Sequence, residues 1–244
     1  MTSATAKAPR KLSGRATNDL VFSAHSGTNA DVLPLILDMY VPNGSTVADV
    51  TFGRGVFWKN IDVNARGFRF LPSDLKTNGI SAFDLPYEAG SIDALVMDPP
   101  YMSGFFRTRG ALAYSRSSSG MQDRYSTARH LSDEDSPKEH AGVLDFYFRT
   151  AREAKRVLRS GGILIVKCQD EVSSNRQYLT HIEITNELTS PDFGFVIEDL
   201  FVLVRRDRPG VSRIKVQRHA RKNHSYFLIF TKGKRQFKKG QVAE

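Results

Sequence analysis

Apolar residues recur at helical spacing in Asn29–Tyr40, at Val32, Leu33, Leu35, Ile36, Met39 and Tyr40, which predicts an amphipathic helix. Asn29 or Asp31 is placed to cap it, Pro34 falls near its first turn, and Pro42-Asn43-Gly44 ends it. Ser45–Phe52 is short, apolar and β-branched, the pattern of a buried strand. It runs into Gly53-Arg54-Gly55, with a helix expected from Val56. A second strand fits Phe68–Pro72, closing on Asp74. A third fits Ile80–Asp84, and a fourth, Ile92–Met97, runs into Asp98-Pro99-Pro100-Tyr101. A helix is expected over His140–Arg159, with Val143, Leu144, Phe146, Tyr147, Ala151, Ala154 and Leu158 on its apolar side and Gly161-Gly162 as its stop signal. Ile163–Val166 reads as a buried strand leading to Lys167-Cys168-Gln169-Asp170. A helix over Arg176–Glu187 and strands over Phe195–Val204 and Tyr226–Thr231 complete the pattern.

Strands alternating with helices predict an α/β fold: a mostly parallel sheet with helices on both faces. In such sheets ligands bind at the carboxyl ends of the strands, near the point where strand order reverses. Each polar motif above falls just after a strand, on that edge. Residues 1–18 are small, polar and basic and are expected to be disordered, as a leader to a single domain over 19–232. Residues 233–244 form a basic tail. Two stretches break the alternation and read as insertions, at about 102–139 and 205–224. The first is rich in Ser, Arg and Gly and is much longer than an ordinary connection.

Composition narrows the partners. The 244 residues hold 35 Lys and Arg against 26 Asp and Glu, a formal net charge of +9, which favours an acidic partner, most commonly nucleic acid. Cys168 is the single cysteine, so neither an internal disulfide nor a cysteine-based zinc site can form, and no metal is expected. No apolar run suggests a signal peptide or a membrane span, and a reducing cytoplasm fits these features.

Asp49-Val50-Thr51-Phe52-Gly53-Arg54-Gly55 places two glycines at a strand-to-helix turn, where a backbone can approach a ligand closely. Asp74 follows Asp49 by 25 positions, near the offset at which a carboxylate meets a ribose hydroxyl. A turn or cap role for Asp74 is the alternative. The phosphate-binding elements of dinucleotide and P-loop motifs are missing, so a cofactor without phosphates fits better. The order of these motifs, with Asp84-Leu85-Pro86 after the third strand and Asp98-Pro99-Pro100-Tyr101 after the fourth, resembles the class I S-adenosylmethionine-dependent methyltransferases. Within them it is most similar to the DNA amino-methyltransferases carrying a D-P-P-Y motif, the small phage-type stand-alone enzymes in particular. The resemblance covers roughly residues 22–231. It implies a Rossmann-like, seven-stranded sheet with an antiparallel last strand, and S-adenosyl-L-methionine as cofactor. It also implies that Asp49, Phe52, Gly53 and Gly55 line the methionine part, Asp74 the ribose and Asp84 and Leu85 the adenine. Residues 22–29, with His25 and Asn29, would close over the methionine end.

An aromatic amine is a poor nucleophile because its lone pair is delocalised into the ring. Asp98 and the Pro99 carbonyl offer two acceptors that would favour a tetrahedral nitrogen. Pro99 and Pro100 stiffen the loop, and Tyr101 offers a stacking face. By the resemblance the leading Asp favours adenine N6 over cytosine N4 as target. Phe105, Arg107 and Arg109 are candidates to grip a strand with its base flipped out. Arg205, Arg206, Arg208, Arg213, Lys215, Arg218, Arg221 and Lys222 form a dense basic run for phosphate contacts, which give affinity without sequence choice. Short or relaxed specificity on DNA is therefore expected. An RNA amino-methyltransferase acting on adenine N6 or guanine N2, and a silent nucleic-acid-binding partner of the same fold, are the alternatives.

Overall fold

The computed structural model describes residues 20–99, 139–206 and 216–233. Nine strands and three helices alternate along these residues: β1 (Ala24–Ser26), α1 (Asn29–Tyr40), β2 (Thr46–Asp49), β3 (Arg69–Pro72), β4 (Ile92–Met97), α2 (Glu139–Val157), β5 (Leu158–Cys168), β6 (Glu171–Ser173), β7 (Arg176–Tyr178), α3 (Thr180–Leu188), β8 (Phe195–Val204) and β9 (His224–Lys232). Seven strands form one sheet in the order β1-β8-β9-β5-β4-β2-β3. Every neighbouring pair is parallel except those made by β9, which runs antiparallel to both β5 and β8. The sheet is thus the expected seven-stranded, mostly parallel one with an antiparallel last strand. β6 and β7 make a separate hairpin.

Strand alternation explains why the sheet is covered on both faces. Ala48, Leu95, Met97, Leu164, Val166 and Leu228 meet Phe146, Tyr147 and Ala151 of α2 and Ile184 and Leu188 of α3. Val47, Ala94, Val96, Ile163, Ile165, Phe227 and Ile229 point the other way, onto Leu33, Ile36 and Leu37 of α1. Strands buried on both faces need near-continuous apolar runs, and these have them. Among the described residues no helix is long and apolar enough to cross a membrane.

The start of α1 differs from the sequence expectation in its cap. Thr28 is the N-cap, and its N–H and hydroxyl both donate to Asp31 Oδ2 at 2.8 Å. Pro34 lies inside the helix, beyond the first turn. Lacking an N–H, it leaves the carbonyl of Ala30 without its helical donor. Asn60 supplies the replacement, its Nδ2 lying 3.1 Å from that oxygen.

Four further expectations are corrected. The helix from Val56 is a single 3₁₀ turn, Val56–Trp58, because Trp58 is drawn inward to a buried partner described below. Ile80–Asp84 is not a strand; it holds one isolated bridge, Ser81 to Asp84. The backbone of the next residues is satisfied by side chains of α2: the Leu85 N–H donates to Glu153 Oε2 at 2.9 Å, and Arg156 donates to the carbonyls of Leu85 and Tyr87. The seventh strand of the sheet is instead β1. Gly161-Gly162 does not stop a helix but lies within β5. α2 ends at Val157, and Gly161 takes φ +74° where the β4–β5 register slips. Finally, Arg176–Tyr178 is a strand of the hairpin, and the helix placed there begins only at Thr180.

Candidate functional site

The parallel strands β2, β4, β5 and β8 end on one edge of the sheet. The strand order reverses between β2 and β4, since the chain leaves β2 for β3 on one side and returns to β4 on the other. That switch point is the expected place for a ligand, and both sequence motifs meet there.

From β2, Asp49 ends the strand and is buried. Its Oδ2 accepts from Trp58 Nε1 at 2.6 Å and its Oδ1 from the Thr51 N–H at 2.9 Å. Burial pushes its carboxyl up to about 6 against those two hydrogen bonds. The turn that follows is fastened to both neighbours: Val50 N–H donates to the Val96 carbonyl, and Phe52 N–H to that of Ser73. Gly53 and Gly55 take φ of +52° and +67°, a region open to glycine and costly for other residues. A Cβ on Gly55 would lie 2.6 Å from the ring of Phe52. Glycine at position 55 lets the turn close directly against the Phe52 ring.

From β4, Asp98 and Pro99 begin the loop, with Asp98 half-buried and Pro99 buried. The Asp98 N–H donates to Thr51 Oγ1 at 2.7 Å, and that hydroxyl lies 3.4 Å from Asp49 Oδ1. Thr51, an unassigned position inside the glycine motif, thus ties the two motifs together. Only its place between them could have suggested this. Asp98 Oδ1 is enclosed and has no hydrogen-bond partner among the described residues. Burial pushes this carboxyl up to about 7, with Lys167 pulling it down.

Asp74 is buried after β3, and its Oδ1 accepts from the N–H groups of Lys76 (2.9 Å) and Thr77 (3.0 Å), so that oxygen holds the turn. Asp84 is exposed, while Leu85 is buried in the cluster beneath α2. His25, on β1, stacks near Phe201 with ring centroids 6.2 Å apart, and its Nε2 lies 2.5 Å from the Phe22 carbonyl. Asn29 is the first residue of α1. Arg205 and Arg206 are exposed just beyond β8. Arg205 N–H donates to the Asn223 carbonyl at 2.8 Å, and Arg206 reaches the Ser26 carbonyl at 3.2 Å. Arg218 and Arg221 are exposed and Lys222 half-buried, and His219 docks this run on the hairpin through the Asn175 carbonyl at 3.0 Å. Pro100, Tyr101, Phe105, Arg107, Arg109, Arg208, Arg213 and Lys215 lie outside the described residues.

Two polar clusters after β5 gave no signal in the sequence, because their members are far apart in the chain. Asp170 sits at the start of α3: its Oδ1 lies 2.6 Å from His181 Nδ1 and 3.3 Å from the His181 main-chain nitrogen, and Tyr226 donates to its Oδ2 at 3.3 Å. His140, in the first turn of α2, is held between Glu171 (2.7 Å) and Glu183, and stacks on Tyr178 with centroids 3.9 Å apart. Burial opposes the charged ring, but the two carboxylates outweigh it and hold its pKa above the ordinary value of 6.5. The resulting stability is fully present below that ordinary value and is lost as pH rises through the raised folded one. A His140→Gln variant should therefore lose most denaturation midpoint relative to wild type below about pH 6.5, with the gap narrowing as pH rises through the raised folded value. A gap that does not change with pH would show that the ring is uncharged. Among the described residues no cluster of His, Cys, Asp or Glu is arranged to hold a metal ion. Cys168 is buried in the core, and burial pushes its thiol well up, away from the reactive form.

A separate cleft of about 310 Å³, lined by Thr46, Arg69, Tyr87, Glu88 and Ile92 among others, opens where β2, β3 and β4 begin. It lies at the opposite edge from Asp98.

A family model described as DNA methylase matches residues 92–243, from the start of β4 through the last strand. The chain belongs to this DNA methylase family. No curated protein matches it in sequence. Among solved structures it is similar to a SAM-dependent methyltransferase from Methanosarcina mazei, at 14% identity over 81% of this chain and 97% of that one, with a TM-score of 0.47. It is also similar to a SAM-dependent methyltransferase from Aquifex aeolicus, at 12% identity over 81% and 87%, with a TM-score of 0.42. A protein from Thermus thermophilus assigned as a DNA modification methylase matches at 18% identity over 64% of this chain, with a TM-score of 0.36, and the chain spans 52% of its length. The sheet order itself defines the fold. S-adenosyl-L-methionine is the cofactor that membership of the DNA methylase family implies. The site fits it: a positive-φ glycine turn after β2 and an enclosed acceptor on Asp98 at the same strand edge.

Proposed function

We propose that this DNA methylase family member transfers a methyl group to the exocyclic amine of a DNA base, with adenine N6 as the target, and that residues 19–232 form the catalytic unit. The observation that carries this reading is Asp98 Oδ1, an enclosed carboxylate oxygen with no partner among the described residues, at the switch point. A buried acceptor left without a donor is costly unless a ligand supplies one.

Asp49, Phe52, Gly53 and Gly55 would hold the methionine part of the cofactor, His25 and Asn29 would close over it, and Asp74, Asp84 and Leu85 would meet its adenosine. Bound there, S-adenosylmethionine supplies an electrophilic methyl group on sulfur. Asp98 and the Pro99 carbonyl accept from the two N–H groups of the target amine, which draws its lone pair out of conjugation and towards the methyl carbon. The amine nitrogen would take the methyl group that the cofactor's sulfonium gives up, and Asp98 would pass the one proton that the nitrogen then loses to solvent. Pro100 and Tyr101 would complete the motif, with Tyr101 as the stacking face for the base. Most of the acceleration is positioning and electrostatic complementarity. A base inside a duplex must be flipped to reach this pocket, with Phe105, Arg107 and Arg109 on the strand. Specificity is short or relaxed.

Transfer of labelled methyl to double-stranded DNA, single-stranded DNA and structured RNA tests the proposal. Label on N6-methyladenine in DNA is expected; label only in RNA, or only on cytosine N4, would overturn it. The exposed Arg218 and Arg221 and the half-buried Lys222 are assigned to phosphates, as are Arg205, Arg206, Arg208, Arg213 and Lys215. Replacing the first three by alanine should weaken DNA binding evenly across sequences. It should also flatten the plot of log K against log salt by about 0.9 for each phosphate that is no longer neutralised. An unchanged slope would place the DNA elsewhere.

A further inference from the structure

We infer that Lys167 is a positioning residue for methyl transfer, its ammonium buried beside Asp98 to keep that carboxylate ionised and aimed at the target amine. The inference rests on the catalytic reading of Asp98.

The sheet register brings the two together. β4 and β5 run parallel with Met97 opposite Val166, so the next pair along is Asp98 and Lys167. Side chains of paired residues in parallel strands share a face. Ala94 and Val96 on β4, and Ile163 and Ile165 on β5, point to the α1 side, so Asp98 and Lys167 point there too. Val47 and Asp49 on β2 obey the same alternation, as do Phe201, Leu203 and Arg205 at the end of β8.

Lys167 is 1% exposed. A lysine usually threads its stem along apolar surface and leaves its ammonium in water; this one does not. Its Nζ lies 5.0 Å from the centre of the Phe227 ring on β9, whose face attracts a cation. The Tyr147 hydroxyl donates to the Lys167 carbonyl at 2.9 Å from the other side of the sheet and fixes the strand end. A leucine would fill the place at lower desolvation cost, so the charge asks for an electrostatic role.

The charged groups facing the pair set the sign. Asp49, from β2, repels the Asp98 charge, while Lys167 and Arg205 favour it. Cys168 is buried on β5 next to Lys167, and α1 turns apolar Leu33, Ile36 and Leu37 to this face. Burial alone would keep Asp98 protonated at neutral pH, and a protonated carboxyl makes a poor acceptor for two N–H groups. Lys167 is the cation from the adjacent strand that opposes this. Burial in turn pulls Lys167 down to about 8, with Asp98 holding it up.

The test follows the Asp98 carboxyl directly, by ¹³C NMR titration of the whole chain with Asp98→Asn assigning the signal. Lys167→Met should raise the Asp98 midpoint by at least about one pH unit, a tenfold loss of the ionised form below it. Lys167→Arg should restore it, and the acidic limb of the methyl-transfer rate should move by the same interval. Lys167→Gln serves the same purpose if the methionine variant does not fold. An Asp98 midpoint that stays put in a folded Lys167 variant overturns the inference, since a merely structural lysine would change stability alone. A midpoint that moves while the rate profile does not would overturn the catalytic role of Asp98, and the positioning role with it.

Discussion

Replacing Asp98 by alanine is expected to slow methyl transfer about a hundred- to a thousandfold, the typical cost of deleting one preorganised group that meets a developing transition state. S-adenosylmethionine binding should change little, because the glycine turn does not depend on the Asp98 side chain. Its link to that loop is the Asp98 main-chain N–H, which donates to Thr51 in either variant. Labelled methyl incorporation into DNA at saturating cofactor, beside calorimetric cofactor binding, separates the two effects. Activity within threefold of wild type would remove Asp98 from the mechanism. Asp98→Asn keeps one carbonyl acceptor without the charge and should fall between the two. Burial holds the Asp98 carboxyl near 7, so wild-type activity should rise with pH through that value and then level off.

The second large effect is expected at Gly55. Alanine there must adopt φ +67° and place its Cβ 2.6 Å from the Phe52 ring. The left-handed backbone costs roughly 1–2 kcal/mol for a residue with a side chain, and displacing the ring adds to it. Phe52 cannot swing freely, since its ring meets the edge of Phe70 at 5.7 Å. Gly55→Ala should lower the melting temperature by several degrees, about 2–4 °C per kcal/mol for a chain of this size. It should also weaken cofactor binding, because the turn must distort to relieve the clash with Phe52. Gly53→Ala is the control. Its φ is +52° but the nearest other atom lies 3.8 Å away, so it carries the backbone cost alone. If the two variants bind cofactor equally, close packing over Phe52 is not what the second glycine serves.

These two positions also show how far the sequence reaches. Asp98 and the glycine pair were legible because each is a short contiguous motif following an apolar strand, and strand and motif are both local patterns. Helices and strands with regular periodicity were found nearly in place: Asn29–Tyr40 as a helix, Ile92–Met97 and Phe195–Val204 as strands. The errors fell where a distant group decided the local conformation. Val56 begins one turn instead of a helix because the Trp58 indole is bound to Asp49. Residues 84–87 need no sheet partner because Glu153 and Arg156, far along the chain, take their backbone groups. Gly161-Gly162 resembled a helix stop, but residues 158–162 continue the strand against β4 and a glycine absorbs the register slip.

The sequence alone therefore determined the α/β class and the order of the motifs along one sheet edge, because periodicity and turn residues are properties of neighbours in the chain; the chemistry they suggest came from the family that the motif order resembles. Only the tertiary structure decided which side chains meet at that edge. Thr51 joining the two motifs, Lys167 lying beside Asp98, and His140 between Glu171 and Glu183 each depend on strand register and packing between residues distant in sequence. No local pattern encodes such meetings, since they are fixed only when the sheet has closed and both its faces are covered.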